Sequence, residues 1–270
     1  MNQGEFRVAL RKFLHERPGL RALFYTLLEA LVVSFWHIRK ELWAFALNQP
    51  RKQIHVLDAG SGMGQYEHFM SSRFPRWNIC AIDRDAEEVG ACNRYFLSLS
   101  KHRVFFKAAS LEEFIQAGCF NLILAVNVLE YIREDRRVLA NFFESLQSGG
   151  QILVAVQSDK ALSVQPNFTN KLLGNQVVLH RYNALTFKKS LKELGFVNIK
   201  AHYAYGYSGR LSTALGVRVP KYLLKHSRNW IYLLPFYYLP VYPVVLLLNA
   251  ADVFFGHWQG SELVVRASKP

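Results

Sequence analysis

Cysteine is scarce in this 270-residue chain, at three residues: Cys80, Cys92 and Cys119. No two of them form a C-x-x-C pair, which removes the usual zinc and redox frameworks, and no metal site is expected. Cys80 and Cys119 fall in or beside apolar, strand-like stretches, so buried free thiols in a reducing compartment are the expectation. Acid is short as well: 20 Asp and Glu stand against 33 Lys and Arg, for a net charge of +13. No cleaved export signal is legible, because the charges of residues 1–20 are too closely spaced for one. A cytoplasmic protein is expected, peripheral on the inner face of the membrane where it meets lipid. Nor is there an unbroken apolar run near the N-terminus. Ala22–Ile38 is interrupted by Glu29 and falls short of the about 20 apolar residues that a bilayer span needs.

What is abundant is apolar and aromatic: 51% of residues are hydrophobic and 14% aromatic. A basic chain of that composition suits nucleic acid, an anionic membrane surface or acidic substrates. The length allows one large domain or a domain with an appendage.

The run His55-Val56-Leu57-Asp58-Ala59-Gly60-Ser61-Gly62-Met63-Gly64 reads as an apolar strand breaking into a turn with glycine at alternate positions. Tyr66, Phe69, Met70 and Phe74 follow at helical spacing. Strand, glycine turn and helix together make a nucleotide cradle. Glycine lets a ligand approach the backbone with no Cβ in the way, and a helix N-terminus offers free N–H groups. The spacing Asp58-x-Gly60-x-Gly62-x-Gly64 differs from the dinucleotide fingerprint G-x-G-x-x-G. It resembles motif I of the class I S-adenosylmethionine (SAM) dependent methyltransferases, in which the turn cradles the methionine part of the cofactor.

Stretches further along extend that resemblance. Trp77–Asp83 is a buried-type strand ending in an acid, where a carboxylate can accept from both ribose hydroxyls. After a third strand at Arg103–Phe106, Ser110 and Leu111 stand where family members often contact adenine, although the family's acid is here a serine. Ser110 with Glu113 reads equally as a helix capping box. Phe120–Val126, then Asn127-Val128-Leu129-Glu130-Tyr131-Ile132, then Ser148-Gly149-Gly150 and Gln151–Gln157 resemble the family run F-D-x-I-x-x-x-x-V-L-E-H-I…L-x-P-G-G-x-L-x-V. Tyr131 replaces the family's frequent histidine and Ser148 its proline. The resemblance implies SAM as cofactor, held by Asp58, Gly60, Ser61, Gly62, Gly64, Asp83, Arg84, Ser110, Leu111, Asn127 and Val128. The strand–helix order, repeated five times, gives a parallel sheet by right-handed crossovers, with ligands at the carboxyl ends of its strands. The expected fold is α/β: a Rossmann-like seven-stranded sheet, parallel but for one antiparallel strand.

Four segments are expected: a helical N-terminal extension or cap over 1–50, an α/β core over 51–205, an insertion over 206–260 and the last core strand over 261–270. In the extension Phe6, Leu10, Phe13 and Leu14, and beyond Pro18-Gly19 the series Leu23 to Phe45, recur at helical spacing. This fits a cap packed on the core or an amphipathic, membrane-facing helix. The insertion carries six Lys or Arg and no acid from Lys200 to Arg228, then no formal charge from Asn229 to Ala251. Pro235, Pro240 and Pro243 argue against one straight helix there. A basic stretch followed by an aromatic, broken-helix stretch suits an interfacial anchor, or a lid or homodimer surface.

Methyl transfer to a hydroxyl or a protonated phenol needs a general base within hydrogen-bond reach. His180, in the run His180-Arg181-Tyr182, together with Tyr131 and Tyr182 are the candidates. A loop role for His180, bonded to backbone, fits as well. The expected activity is SAM-dependent methylation, O-methylation favoured, of a hydrophobic small-molecule or lipid-like acceptor at the membrane surface. A nucleic-acid methyltransferase is the alternative that the charge suggests, but the N-P-P-Y or D-P-P-Y of amino-methylating enzymes is replaced by Asn127-Val128-Leu129-Glu130. A non-catalytic SAM-binding scaffold is the other.

Overall fold

The computed structural model describes residues 17–49, 53–160, 177–227 and 230–270. The helix expected around Phe6–Leu14 lies outside the described residues. Helices α1 (Pro18–Leu31) and α2 (Val33–Leu47) come first. The core follows as β1 (Ile54–Ala59), α3 (Gln65–Arg73), β2 (Trp77–Asp83), α4 (Ala86–Ser98), β3 (Val104–Ala108) and β4 (Phe120–Val126). It continues through a short 3-10 turn (Leu129–Tyr131), α5 (Asp135–Ser145), β5 (Leu146–Gln157), α6 (Ala184–Glu193) and β6 (Val197–Ala204). Then come α7 (Tyr207–Thr213), a π-turn (Ala214–Arg218), α8 (Val219–His226), α9 (Trp230–Phe254) and β7 (Glu262–Ser268).

The seven strands lie in the order β3-β2-β1-β4-β5-β7-β6. All neighbours are parallel except β7, which runs antiparallel between β5 and β6. The strands are apolar on both sides because both faces are covered. Helices α1 to α4 cover one face, through Phe35, Ile38, Leu42, Phe69 and Phe96. Helices α5 and α6 cover the other, through Leu139, Phe142, Phe187 and Leu191. The order reverses between β1 and β4, and this switch point puts the carboxyl ends of the strands around one crevice.

Three expectations change. The apolar series from Leu23 to Phe45 is two helices, not one segment: Val32 is extended and the axes bend by 88°. The break lets α1 turn over the glycine turn while α2 packs on the sheet. The aromatic stretch of the insertion is one continuous helix, α9, with Pro235, Pro240 and Pro243 inside it. These prolines lie on the less covered part of the helix, so the carbonyls left without partners lie near the surface and no packed neighbour is displaced. Cys119 is exposed and Cys80 half-buried; only Cys92 is a buried thiol. Cys119 precedes β4 in a surface turn, donating its backbone N–H to the Ser145 carbonyl.

The end of α9 is tied to the core. Asp252, fully buried, accepts from His37 Nε2 of α2 at 2.9 Å, from the Gly209 amide at 2.7 Å and from Ser208 Oγ at 3.0 Å. Asn249 donates to the Ala30 carbonyl at 2.9 Å. Further back, Tyr237 and Tyr238 bond the carbonyls of Leu215 and Gly216. The other side of α9 faces outward: Tyr232, Phe236 and Leu239 are 77, 73 and 79% exposed.

Candidate active site

The glycine turn adopts the conformation its spacing demands. Gly60, Gly62 and Gly64 all have positive φ, at 84°, 53° and 83°. At Gly60 a Cβ would lie 2.6 Å from Val128 Cγ2, so the turn and the loop after β4 touch at a distance only glycine allows. Asp83 closes the opposite side. Its Oδ2 accepts from the Gly62 amide and its Oδ1 from the Asp85 amide, both at 2.9 Å. Each oxygen keeps a further lone-pair direction, and the residue is half-buried. Asp85, not Asp83, caps α4, accepting from Glu87 and Glu88. Asp83 is therefore left to face the crevice.

Beneath the turn, Asp58 at the end of β1 meets Glu67 of α3, and both are buried. Burial raises the pKa of each. The Asp58 charge raises Glu67 further, whereas the bond from Glu67 pulls Asp58 back down. One proton held by the pair, on the Glu67 side, is the physical consequence. Ser61 Oγ is buried without a hydrogen-bond partner. The turn is fixed from outside by α1. Arg21, 1% exposed, donates to the Met63 carbonyl at 2.7 Å, to Glu88 Oε1 at 3.3 Å and to Cys92 Sγ at 2.9 Å. The Tyr25 hydroxyl donates to the same carbonyl.

Further round, Ser110 Oγ accepts from the Glu112 amide at 3.2 Å. No helix follows it, so the capping box with Glu113 is not formed and Ser110 caps a turn. Leu111 is buried beside it and Arg84 is exposed. Asn127 follows β4 with φ 55°, a conformation that costs energy in a non-glycine residue and concentrates at functional sites.

A second group of polar residues gathers past Asn127, on the α2 side of the sheet. Glu262, the first residue of β7, is 1% exposed. Its Oε1 accepts from Ser34 Oγ at 3.0 Å, and its Oε2 has no hydrogen-bond partner. Burial pushes its carboxyl up to about 7, against the pull of the Ser34 and Asn127 side chains. The Ser34 amide donates to the Tyr205 hydroxyl at 3.3 Å. Gln157, in register with Glu262 across β5 and β7, donates to the Tyr131 hydroxyl at 3.4 Å.

Tyr131 thus stands in this group; His180 and Tyr182 do not. The Tyr182 hydroxyl donates to Asp135 Oδ2 at 2.7 Å, and its ring belongs to the core on the α5 face. His180 Nε2 lies 3.3 Å from the Arg133 carbonyl. Both residues look toward the start of α5. Glu130, buried with both carboxylate oxygens unpartnered, holds this stretch through its backbone carbonyl, which accepts from the Leu179 and His180 amides. Burial raises its carboxyl to about 8.

Sequence reasoning did not single out Glu262, Ser34, Gln157 or Glu67. Glu262 carried one signal, a lone acid opening the apolar strand Leu263-Val264-Val265. The others carried none, since their partners are far away in the chain.

A family model described as a methyltransferase domain matches residues 35–201. Among characterised proteins, trans-aconitate 2-methyltransferase of Deinococcus radiodurans is 25% identical over 114 residues, which is 42% of this chain and 42% of that one. Among solved structures, phosphoethanolamine N-methyltransferase 2 of Haemonchus contortus, in complex with SAM, superposes with a TM-score of 0.58 at 15% identity. The match covers 86% of this chain and 52% of that one. Coclaurine N-methyltransferase, bound to N-methylheliamine and S-adenosylhomocysteine, gives 0.56 at 14% identity, over 87% and 71%. The chain thus spans about half the length of the first two. At these identities the two structures establish the fold.

Proposed function

The chain belongs to the methyltransferase domain family, and from that premise we propose that it is a SAM-dependent O-methyltransferase for an apolar, lipid-like acceptor met at the cytoplasmic surface of a membrane. The observation that carries the methyl-donor part is the alternate-glycine turn clasped to Asp83. Asp83 would hold the ribose, Gly60 to Gly64 and Ser61 the methionine portion, and Ser110, Leu111, Asn127 and Val128 the adenine side. Bound SAM would supply an electrophilic methyl group on a sulfonium with a good leaving group. The chain then has to orient the acceptor at a near-attack distance and take its proton. Glu262 Oε2, buried and unpartnered, suits that second task, with Ser34 fixing the carboxyl and Tyr205 fixing Ser34. Above about pH 7 this carboxyl is ionised and able to accept.

The acceptor's character rests on α9. Its exposed Tyr232, Phe236 and Leu239 continue into Phe254, Phe255 and Trp258, the last 93% exposed. Arg218 and Lys225 stand exposed on the neighbouring helix pair. Aromatic rings seat at a headgroup boundary, and each cation near an anionic leaflet adds on the order of 1 kcal/mol. By length and composition α9 could cross a bilayer. The ties of Asp252 and Asn249 to the core favour a helix lying in the interface instead. Incubation with labelled SAM and a membrane extract should label a lipid-soluble product. Flotation with anionic vesicles should carry the protein upward, and neutral vesicles should carry less. An unlabelled lipid fraction together with labelled RNA would overturn this reading.

A further inference from the structure

A shallow cleft, open to solvent, lies beyond the ends of β5 and β6 and before the start of β7. It is lined by Lys160, Tyr205, Gly206, Tyr207, Arg210 and Gln259–Ser261. The lining holds two cations and no carboxylate. Asp159 accepts from Asn183 at 2.9 Å, Asp252 is enclosed by His37, Ser208 and Gly209, and Glu262, next to Ser261, is buried behind the wall with Oε1 bonded to Ser34. Lys160 Nζ is held 5.1 Å from the centroid of the Tyr203 ring and 3.5 Å from the Trp258 carbonyl. It keeps further donors for a ligand. The Arg210 side chain has no ion pair or hydrogen bond among the described residues.

The walls approach one another closely. Tyr205 has φ 58°, unusual for an aromatic residue. A Cβ on Gly206 would lie 2.2 Å from His257 Nδ1, and one on Gly260 would lie 2.1 Å from the Ala204 carbonyl oxygen. At Gly260 the wall is backbone against backbone, and at Gly206 the imidazole of His257 fills the space that a Cβ would take. Through its wall, Tyr205 and Glu262 belong to the polar group at the active site. Outward, its rim is Tyr207 and, beyond the Trp258 carbonyl that holds Lys160, the exposed indole of Trp258.

We propose that this cleft is a binding subsite for the phosphoryl group of an amphiphilic ligand. Lys160 and Arg210 supply the charge, Ser261 and Gln259 supply further hydrogen bonds, and the apolar remainder runs out along Tyr207 and Trp258. A guanidinium fork beside an ammonium point charge is the donor set that phosphate oxygens favour. That this ligand is the methyl acceptor rests on the function proposed above; phosphoryl binding itself does not.

Titration calorimetry on the full chain at fixed ionic strength tests it, with hexyl phosphate and inorganic phosphate as probes. Hexyl phosphate is expected to bind one to one and more tightly than inorganic phosphate. The variants K160A and R210Q should each weaken it about tenfold, with unchanged melting temperatures. R218A and K225A, on the same basic flank but outside the cleft, should leave it unchanged. Equal losses in all four variants would mean a diffuse basic surface, and no binding, or no loss in K160A and R210Q, would also overturn the proposal. Inorganic phosphate binding as tightly as hexyl phosphate would remove the amphiphile and leave a free-phosphate site. A parallel SAM titration separates the two readings. Hexyl phosphate binding without SAM binding would refute the methyltransferase and spare the subsite; the reverse would refute the subsite alone.

Discussion

Ser34 Oγ donates to Glu262 Oε1 at 3.0 Å across 228 residues of sequence. The bond joins the first turn of α2 to the first residue of the last strand, and it leaves the second carboxylate oxygen of Glu262 without a partner. A buried acid in that state is costly as structure alone, which is why a proton-accepting role is assigned to it. The substitution Glu262→Gln keeps shape and the Ser34 contact but cannot accept a proton. Turnover should fall by about 100-fold or more while the dissociation constant for SAM stays within a factor of about two, read by calorimetry. Equal loss of both would make Glu262 a structural residue.

The same group sets a pH dependence. Burial raises the Glu262 carboxyl in the folded protein to about 7, from the ordinary 4.5. Below the unfolded value both states are protonated and the contribution is full. Between the two values only the folded state holds the proton, so stability falls as pH rises through that window. Each tenfold difference in proton affinity between the folded and unfolded states is worth about 1.4 kcal/mol. The Glu262→Gln variant should therefore melt above the wild type at pH 8, and the gap should close toward pH 5. Calorimetric scans across that range give the answer; a pH-independent gap would mean the carboxyl is not raised.

At Gly60 two penalties combine. The left-handed φ of 84° costs a non-glycine residue about 1–2 kcal/mol, and a Cβ would meet Val128 Cγ2 at 2.6 Å. Gly60→Ala should lose SAM binding and unfold at lower denaturant. The double variant Gly60→Ala, Val128→Ala relieves the clash with the Cγ atoms but not the backbone strain, so stability should return in part. Full recovery would place the whole cost in the Val128 contact.

The glycine turn and the strand–helix alternation were legible because they rest on local patterns. Alternate glycines, the acid closing β2, and apolar strands spaced by helices are each encoded within a few residues. The antiparallel strand, β7, was expected from the family resemblance and not from any local pattern. What was not legible depends on contacts between distant segments. Nothing near Ser34 signals Glu262, and nothing near Arg21 signals the Met63 carbonyl. Tyr182 has the sequence signature of a site residue, yet its hydroxyl is bound to Asp135. The prolines of α9 mislead for a different reason: a place near the surface makes the missing hydrogen bonds cheap, and exposure is not written in local spacing.

That engagement of Tyr182 separates it from Tyr131. Tyr182→Phe should lower stability by about 1 kcal/mol with turnover nearly unchanged. The Tyr131 hydroxyl meets Gln157 at the longer distance of 3.4 Å, so Tyr131→Phe should change turnover more than stability. Urea unfolding and initial rates on the labelled lipid product distinguish them.

Arg21 holds the glycine turn from outside, so its loss should act on the cradle without touching the cofactor. The guanidinium is buried with Glu88, Cys92 and the Met63 carbonyl. Replacing it by methionine would take the guanidinium away from the buried Glu88 carboxyl, 3.3 Å from it, at about 3–5 kcal/mol. Adding Glu88→Gln removes the buried carboxylate charge, and much of the loss should return in the double variant. SAM affinity should return only in part, because the Met63 carbonyl then keeps the Tyr25 hydroxyl but not the Arg21 guanidinium, and the turn is held to α1 by one bond instead of two. Urea titrations and SAM calorimetry on the two single variants and the double supply both readouts. Affinity recovering in step with stability would show that α1 supports the fold generally and has no particular hold on the turn.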